Sequence, residues 1–374
     1  MSSLSDFINK QRVCNSLVLL LALAVFLTRN EALFVLWASI TFIFIFFGFL
    51  KNKVNNEKSS ILFISILFLT TLSLPYALLN SYTALFQYII FLLSLSAAYI
   101  MRKSAVSLYQ GVRLALYLWQ FVIAIYLFYN GLDGHPLNKM LPDSSSNVVT
   151  SCLIVLQAAY SIMNFNIHRR VDIVPALITV MICIVGFGRG SIVISLLILI
   201  INIFYLIFSS KRKFIFSAVL VVFGLAMTGD RLGLGAMEYL NSNTKIGAGM
   251  EDSSRIEMRR DYFSGIDIVT FFSGANYDGT SIESTYNGNP HNSYIRGHHI
   301  FGIFYIFGIF LSLMFVLFLR IDIRAKFYIF SLSFFVLLRA ASDSILFPTT
   351  LDVFFYAPLF ALISKVQTEG FVDS

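Results

Sequence analysis

The chain has 374 residues, of which 57% are apolar and only 13% charged, with a mean hydropathy of +0.79. A soluble domain carries roughly 25% charged residues, so this composition excludes an ordinary soluble enzyme and points to a bilayer protein. The net charge of +7 invites a nucleic-acid reading, but the basic residues fall in alternate loops, which is a topology signal instead.

Apolar runs near the bilayer-spanning length of about 17–25 residues recur along the chain. About twelve are expected: 13–28, 31–50, 61–79, 82–101, 112–129, 146–165, 171–188, 191–208, 214–228, 299–319, 327–347 and 351–363. Runs this long and apolar make helices, not barrel strands. The expected fold is therefore an all-α polytopic membrane protein. Residues 1–228 would form an N-terminal bundle of about nine helices, 229–298 one large polar loop, and 299–374 about three helices with a tail. The first run contains Ala22-Leu23-Ala24, which resembles a cleavage site, but more apolar residues follow and an uncleaved first helix is expected.

Lys10/Arg12, Lys51/Lys53/Lys58, Arg102/Lys103/Arg113, Arg169/Arg170, Lys211/Arg212/Lys213 and Arg320/Arg324/Lys326 occupy every second loop, while the loops between hold little beyond Arg29 and Lys139. This positive-inside pattern places both termini in the cytoplasm and the 229–298 loop on the outer face. Cys14, Cys152 and Cys183 lie in apolar runs, so neither disulfides nor thiolate metal sites are expected.

Within the large loop, Ser254-Arg255-Ile256-Glu257 has the spacing of a capping box. An amphipathic helix is expected over 255–272, with Ile256, Phe263, Ile266 and Val269/Thr270 near one face and Arg255 and Arg259 together on another. Gly274, Gly279, Gly288 and Pro290 then signal irregular structure before His291.

Polar groups able to do chemistry are few. Arg189, in Gly186-Phe187-Gly188-Arg189-Gly190-Ser191, sits where one helix leaves the membrane and the next returns. It reads either as a snorkelling turn residue or as a bidentate anion ligand flanked by glycines. Arg255 and Arg259 are either a solvated face paired with Glu251, Asp252 and Asp261, or ligands for the same anion. His291, in Pro290-His291-Asn292-Ser293-Tyr294, is either solvated or a general base able to work near neutral pH. His298 and His299 read as interfacial. Arg339 and Asp343 are four apart within one apolar run and should face the bundle interior and pair, either structurally or as the floor of a site. No metal-binding spacing, Walker A motif, GxSxG elbow or dinucleotide fingerprint is present, so neither metal nor cofactor is expected.

Gly188-Arg189-Gly190, then Ser254-Arg255-Ile256-Glu257, then His291-Asn292-Ser293-Tyr294 with Gly302 and Gly308 downstream occur in an order that resembles the O-antigen polymerase and O-antigen ligase superfamily of bacterial envelopes. The resemblance is specific over 186–308. It implies a GT-C-like, metal-independent inverting glycosyltransferase in the bacterial inner membrane, acting on the periplasmic face with a glycan on undecaprenyl diphosphate as donor. It also implies that Arg189 and Arg255 bind the diphosphate and that His291 orients or deprotonates the acceptor hydroxyl. Arg259, Arg296, Asn292, Tyr294, Arg339 and Asp343 become candidate substrate contacts, and a chain-length-regulating co-polymerase a candidate partner. The polar segment 277–289 is longer than the family pattern. The motifs do not separate a polymerase of lipid-linked repeat units from a ligase acting on lipid A core. A non-catalytic transporter of lipid-linked glycans is the alternative of another class, disfavoured because the two halves of the chain show no repeat.

Overall fold

The structure, a computed structural model, describes residues 2–51, 58–80, 83–132, 136–141, 145–209, 253–319 and 321–369. Within these residues it is helical, with no strand. Eight helices precede the loop: α1 (Ser2–Thr28), α2 (Glu31–Lys51), α3 (Lys58–Asn80), α4 (Thr83–Met101), α5 (Ala105–Asn130), α6 (Ser146–His168), α7 (Val174–Val185) and α8 (Arg189–Ser209). The loop contributes α9 (Ser253–Ser264), α10 (Ile268–Ser273) and the single turn α11 (Ser281–Ser284). Then follow α12 (Ser293–Leu317), α13 (Ile323–Ala340) and α14 (Asp352–Glu369).

Seven helical stretches are long and apolar enough to cross a membrane, one of them the 48-residue stretch Thr83–Asn130 that joins α4 to α5, and α7 and the first part of α14 are shorter apolar helices. These helices do not establish a count of about twelve, and the ninth expected run, 214–228, lies outside the described residues. Also outside them are Glu251 and Asp252, the expected partners of Arg255 and Arg259, together with 229–250 and the tail 370–374.

Burial divides the helices by role. α6 is buried almost all round, and its candidate spanning window is 94% buried against 11% for that of α2. α2, apolar along nearly its whole length, keeps most of its surface exposed, whereas α6 carries Ser, Thr, Asn and Gln side chains into the interior. Gln157 and Ser161 of α6 find partners inside the bundle. Thr179 donates to Gln157 at 3.1 Å, Gln157 donates to Ser161 at 3.0 Å, and Gln120 donates to Thr179 at 3.1 Å. Around α6 pack α5, α7, α8, α13 and α14, while α12 lies along α3 and α1 along α5.

Two elements depart from expectation. The apolar run at 327–347 is not one helix, because α13 stops at Ala340 and residues 341–351 form buried turns. Buried backbone groups need partners, and nearby side chains supply them. Asp352 accepts from the Phe347 and Thr349 amides, Ser293 accepts from Leu346 and donates to the Asp343 carbonyl, and Asn292 donates to the Ala341 carbonyl. The loop helix expected over 255–272 is two helices broken around Gly265, because Asp267 starts α10 with a reciprocal capping box to Thr270. Ser254, the expected cap, lies within α9. The expected apolar face is split: Ile256 is 43% and Phe263 60% exposed, while Ile266 packs inward with Met258 and Tyr262 onto Ala275, Ile282 and Ile295.

The loop helices are locked onto α12 through Gly302. Its φ of 70° interrupts α12, and a side chain there would collide with the Phe272 carbonyl of α10. Only glycine accepts both the left-handed backbone and this approach.

Candidate functional site

One end of the bundle collects the N-termini of α2, α4, α6, α8 and α12, with the loop helices against it. Two cavities open there, of about 770 and about 1050 Å³. The rib between them is made of residues 289–291 and 341–344, with Pro290 facing both.

The smaller cavity is lined by Arg189, Arg255, Arg259, Arg339 and His291 and, among the described residues, by no Asp or Glu. Arg189 is the first residue of α8, placed by the turn Gly186-Phe187-Gly188 in which Phe187 is left-handed at φ 55°. The glycines allow α7, α8 and α6 to meet closely: a side chain at Gly188 would lie 2.5 Å from the Asn147 amide oxygen. Thr150 and Ser191 then clamp α6 to α8 through a 2.7 Å hydroxyl pair. Ser146 and Asn147 of the first turn of α6 also line this cavity. Two helix N-termini therefore converge on it, each worth roughly half a positive charge. Such a site suits a multiply charged phosphate.

The loop arginines arrive on α9. Arg255 donates to the Ser342 carbonyl at 2.5 Å, and Arg259 donates to the Arg255 carbonyl at 3.2 Å. Arg339 and Asp343 pair at 3.1 Å, both buried, with Arg339 also donating to Ser342 and Ser151 donating to Asp343. The pairing expected from sequence is present, with Asp343 just beyond the end of α13. Arg339 lines the arginine-rich cavity and Asp343 the larger one.

The three histidines separate by their bonds. His298 donates from Nε2 to the Phe271 carbonyl at 2.9 Å, so its Nδ1 accepts from the Tyr262 hydroxyl at 2.7 Å. Burial raises the Tyr262 phenol well above its ordinary range, which keeps it the neutral donor. Both His298 nitrogens are thus engaged in holding the loop. His299 donates from Nδ1 to the Ala275 carbonyl at 2.7 Å and stacks on Tyr277 with centroids 3.9 Å apart. His291 lines the arginine-rich cavity with its backbone left-handed at φ 47° and its amide held by Asn289. A left-handed non-glycine residue at a cavity wall is strain of the kind that collects at functional sites.

The other candidates separate too. Asn292 lines the same cavity but its side chain caps α12, accepting from the Tyr294 and Ile295 amides. Tyr294 donates to the Leu337 carbonyl and faces neither cavity. Arg296 belongs to the larger cavity, donating to Gln87 at 3.3 Å. Sequence reasoning missed Ser146, Asn147 and Ser342 in the first cavity and Glu31, Gln87 and Tyr277 in the second. Arg29, counted there only as a rare outer-loop cation, lines the second as well.

No protein-family profile matches the chain, and no curated protein matches it.

Proposed function

We propose that this chain is a metal-independent inverting glycosyltransferase that polymerises glycan repeat units carried on undecaprenyl diphosphate, in the manner of the O-antigen polymerases. On this reading it is a GT-C-like inner-membrane protein of about twelve spans, with cytoplasmic termini and a periplasmic site. The observation that carries the reading is the gathering of Arg189, Arg255, Arg259, Arg339 and His291 in one cavity from segments far apart in the chain. Three of them, Arg189, Arg255 and His291, are the residues that the ordered motifs single out.

The donor diphosphate lies against the four guanidiniums and the N-termini of α6 and α8. The acceptor hydroxyl oxygen attacks the anomeric carbon, and the carbon–oxygen bond to phosphate breaks with its electron pair leaving on the lipid diphosphate. His291 takes the hydroxyl proton. Negative charge develops on the departing diphosphate, where fixed arginine donors stabilise the transition state more than the ground state. Arg255 needs no reorganisation because Ser342 already holds it.

The test is the lipopolysaccharide banding pattern of the source bacterium. Deleting the gene should replace the O-antigen ladder by single-repeat caps on lipid A, and His291→Ala should fail to restore the ladder. Loss of all O-antigen with lipid-linked polymer accumulating assigns ligase activity instead. An unchanged ladder in the deletion sinks both and favours a lipid-linked glycan transporter.

A further inference from the structure

The larger cavity differs from the arginine-rich one in its hydrogen-bonding balance. It presents Arg29 and Arg296 together with Glu31 and Asp343, and Gln87 beside them. An anion offers acceptors only, and two carboxylates on the wall oppose it. A sugar hydroxyl both donates and accepts, and suits such mixed walls.

Three groups there retain bonding capacity among the described residues. The Tyr277 hydroxyl is buried without a partner, a state native structures rarely leave unexplained. The Arg296 guanidinium, with five donors, makes one hydrogen bond among the described residues, to Gln87. His299 uses Nδ1 on Ala275, which leaves Nε2 as an acceptor. Aromatic surface completes the wall: the Tyr277–His299 stack, and Phe34 against Phe86 with centroids 4.8 Å apart. Aromatic walls with a few convergent polar groups are the usual make-up of a site for an organic ligand.

We infer that the larger cavity binds the acceptor's sugar residues, with Tyr277, Gln87 and Arg296 as specificity-determining contacts. The acceptor assignment rests on the glycosyltransferase reading; the carbohydrate assignment rests on the cavity itself. A sugar seated there lies beside the rib of residues 289–291, with His291 on the opposite side.

The experiment uses the full chain in its native membrane with the photo-crosslinking residue p-benzoylphenylalanine in place of Phe86, an exposed aromatic on this cavity. After irradiation, periodate–hydrazide labelling of the protein band should report a carbohydrate adduct. Tyr277→Phe and Gln87→Ala should each raise the acceptor KM roughly two- to tenfold, the worth of one neutral hydrogen bond, with kcat and donor KM kept. A band without carbohydrate, or one carrying lipid alone, overturns the inference, as does an unchanged acceptor KM in both variants. A carbohydrate adduct in a protein that performs no transfer leaves the site standing and removes the glycosyltransferase reading. Active transfer without an adduct removes the site and leaves that reading.

Discussion

The two cavities share a wall and one end of the bundle, yet their chemistry diverges. In the smaller, four arginines and two helix N-termini present positive charge beside His291, with no carboxylate among the described lining residues. In the larger, two arginines are balanced by Glu31 and Asp343 and interleaved with amide and aromatic groups. Excess of one sign selects a ligand by charge; balance of donors and acceptors selects by hydrogen-bond geometry. The Arg339–Asp343 pair joins these environments, with its cation on one side and its anion on the other.

That pair is the most damaging place to break the contrast. Arg339→Met leaves Asp343 buried without its cation, and loss of one partner of a buried pair costs about 3–5 kcal/mol. A correspondingly large drop in thermal stability in detergent is expected, with much of it recovered in the double variant Arg339→Met/Asp343→Leu. Next come Arg189→Ala and Arg255→Ala, which should each lower kcat by about 100- to 1000-fold in a transfer assay, as removal of an oxyanion donor does. If instead they raise the acceptor KM alone, the division of labour between the cavities is wrong. Salt gives a milder discrimination. Raising KCl from about 0.15 to about 1 M shortens the Debye length from about 8 to about 3 Å. Inhibition by inorganic diphosphate should weaken severalfold while the acceptor KM barely moves. The smallest effect is that of Asn292→Ala, which removes a cap on α12 and should cost about 1 kcal/mol, read as a modest fall in melting temperature.

Much of this architecture is visible in the sequence where apolar runs are long and uninterrupted. The runs at 31–50, 61–79, 82–101 and 146–165 coincide with α2, α3, α4 and α6, because nothing local competes with burial of the apolar side chains. The run at 327–347 misleads because its last third, which holds Ser342, Asp343 and Ser344 before Ile345-Leu346-Phe347, is largely buried but nonhelical. Its backbone is satisfied by Asp352, Ser293 and Asn292, two of which lie about 50 residues earlier. The loop helix misleads for a local reason, since Gly265 and the Asp267 cap outweigh an apolar spacing that leaves Ile256 and Phe263 exposed. The arginine-rich cavity is largely legible because charges within or beside apolar runs are few and so stand out. The larger cavity is not, because Gln87 and Tyr277 are ordinary residues in ordinary segments until tertiary packing brings them together.

The rib between the cavities has a bearing on biogenesis. It is tied by the Asn292 amide donating to Ser344, by Ser344 donating to Asn289, and by Ser293 donating to the Asp343 carbonyl. Each bond joins the entry of α12 to the exit of α13, so the rib has no counterpart in a nascent chain that stops short of residue 344. The two compartments therefore come into being together, only once residues 341–344 can meet the entry of α12.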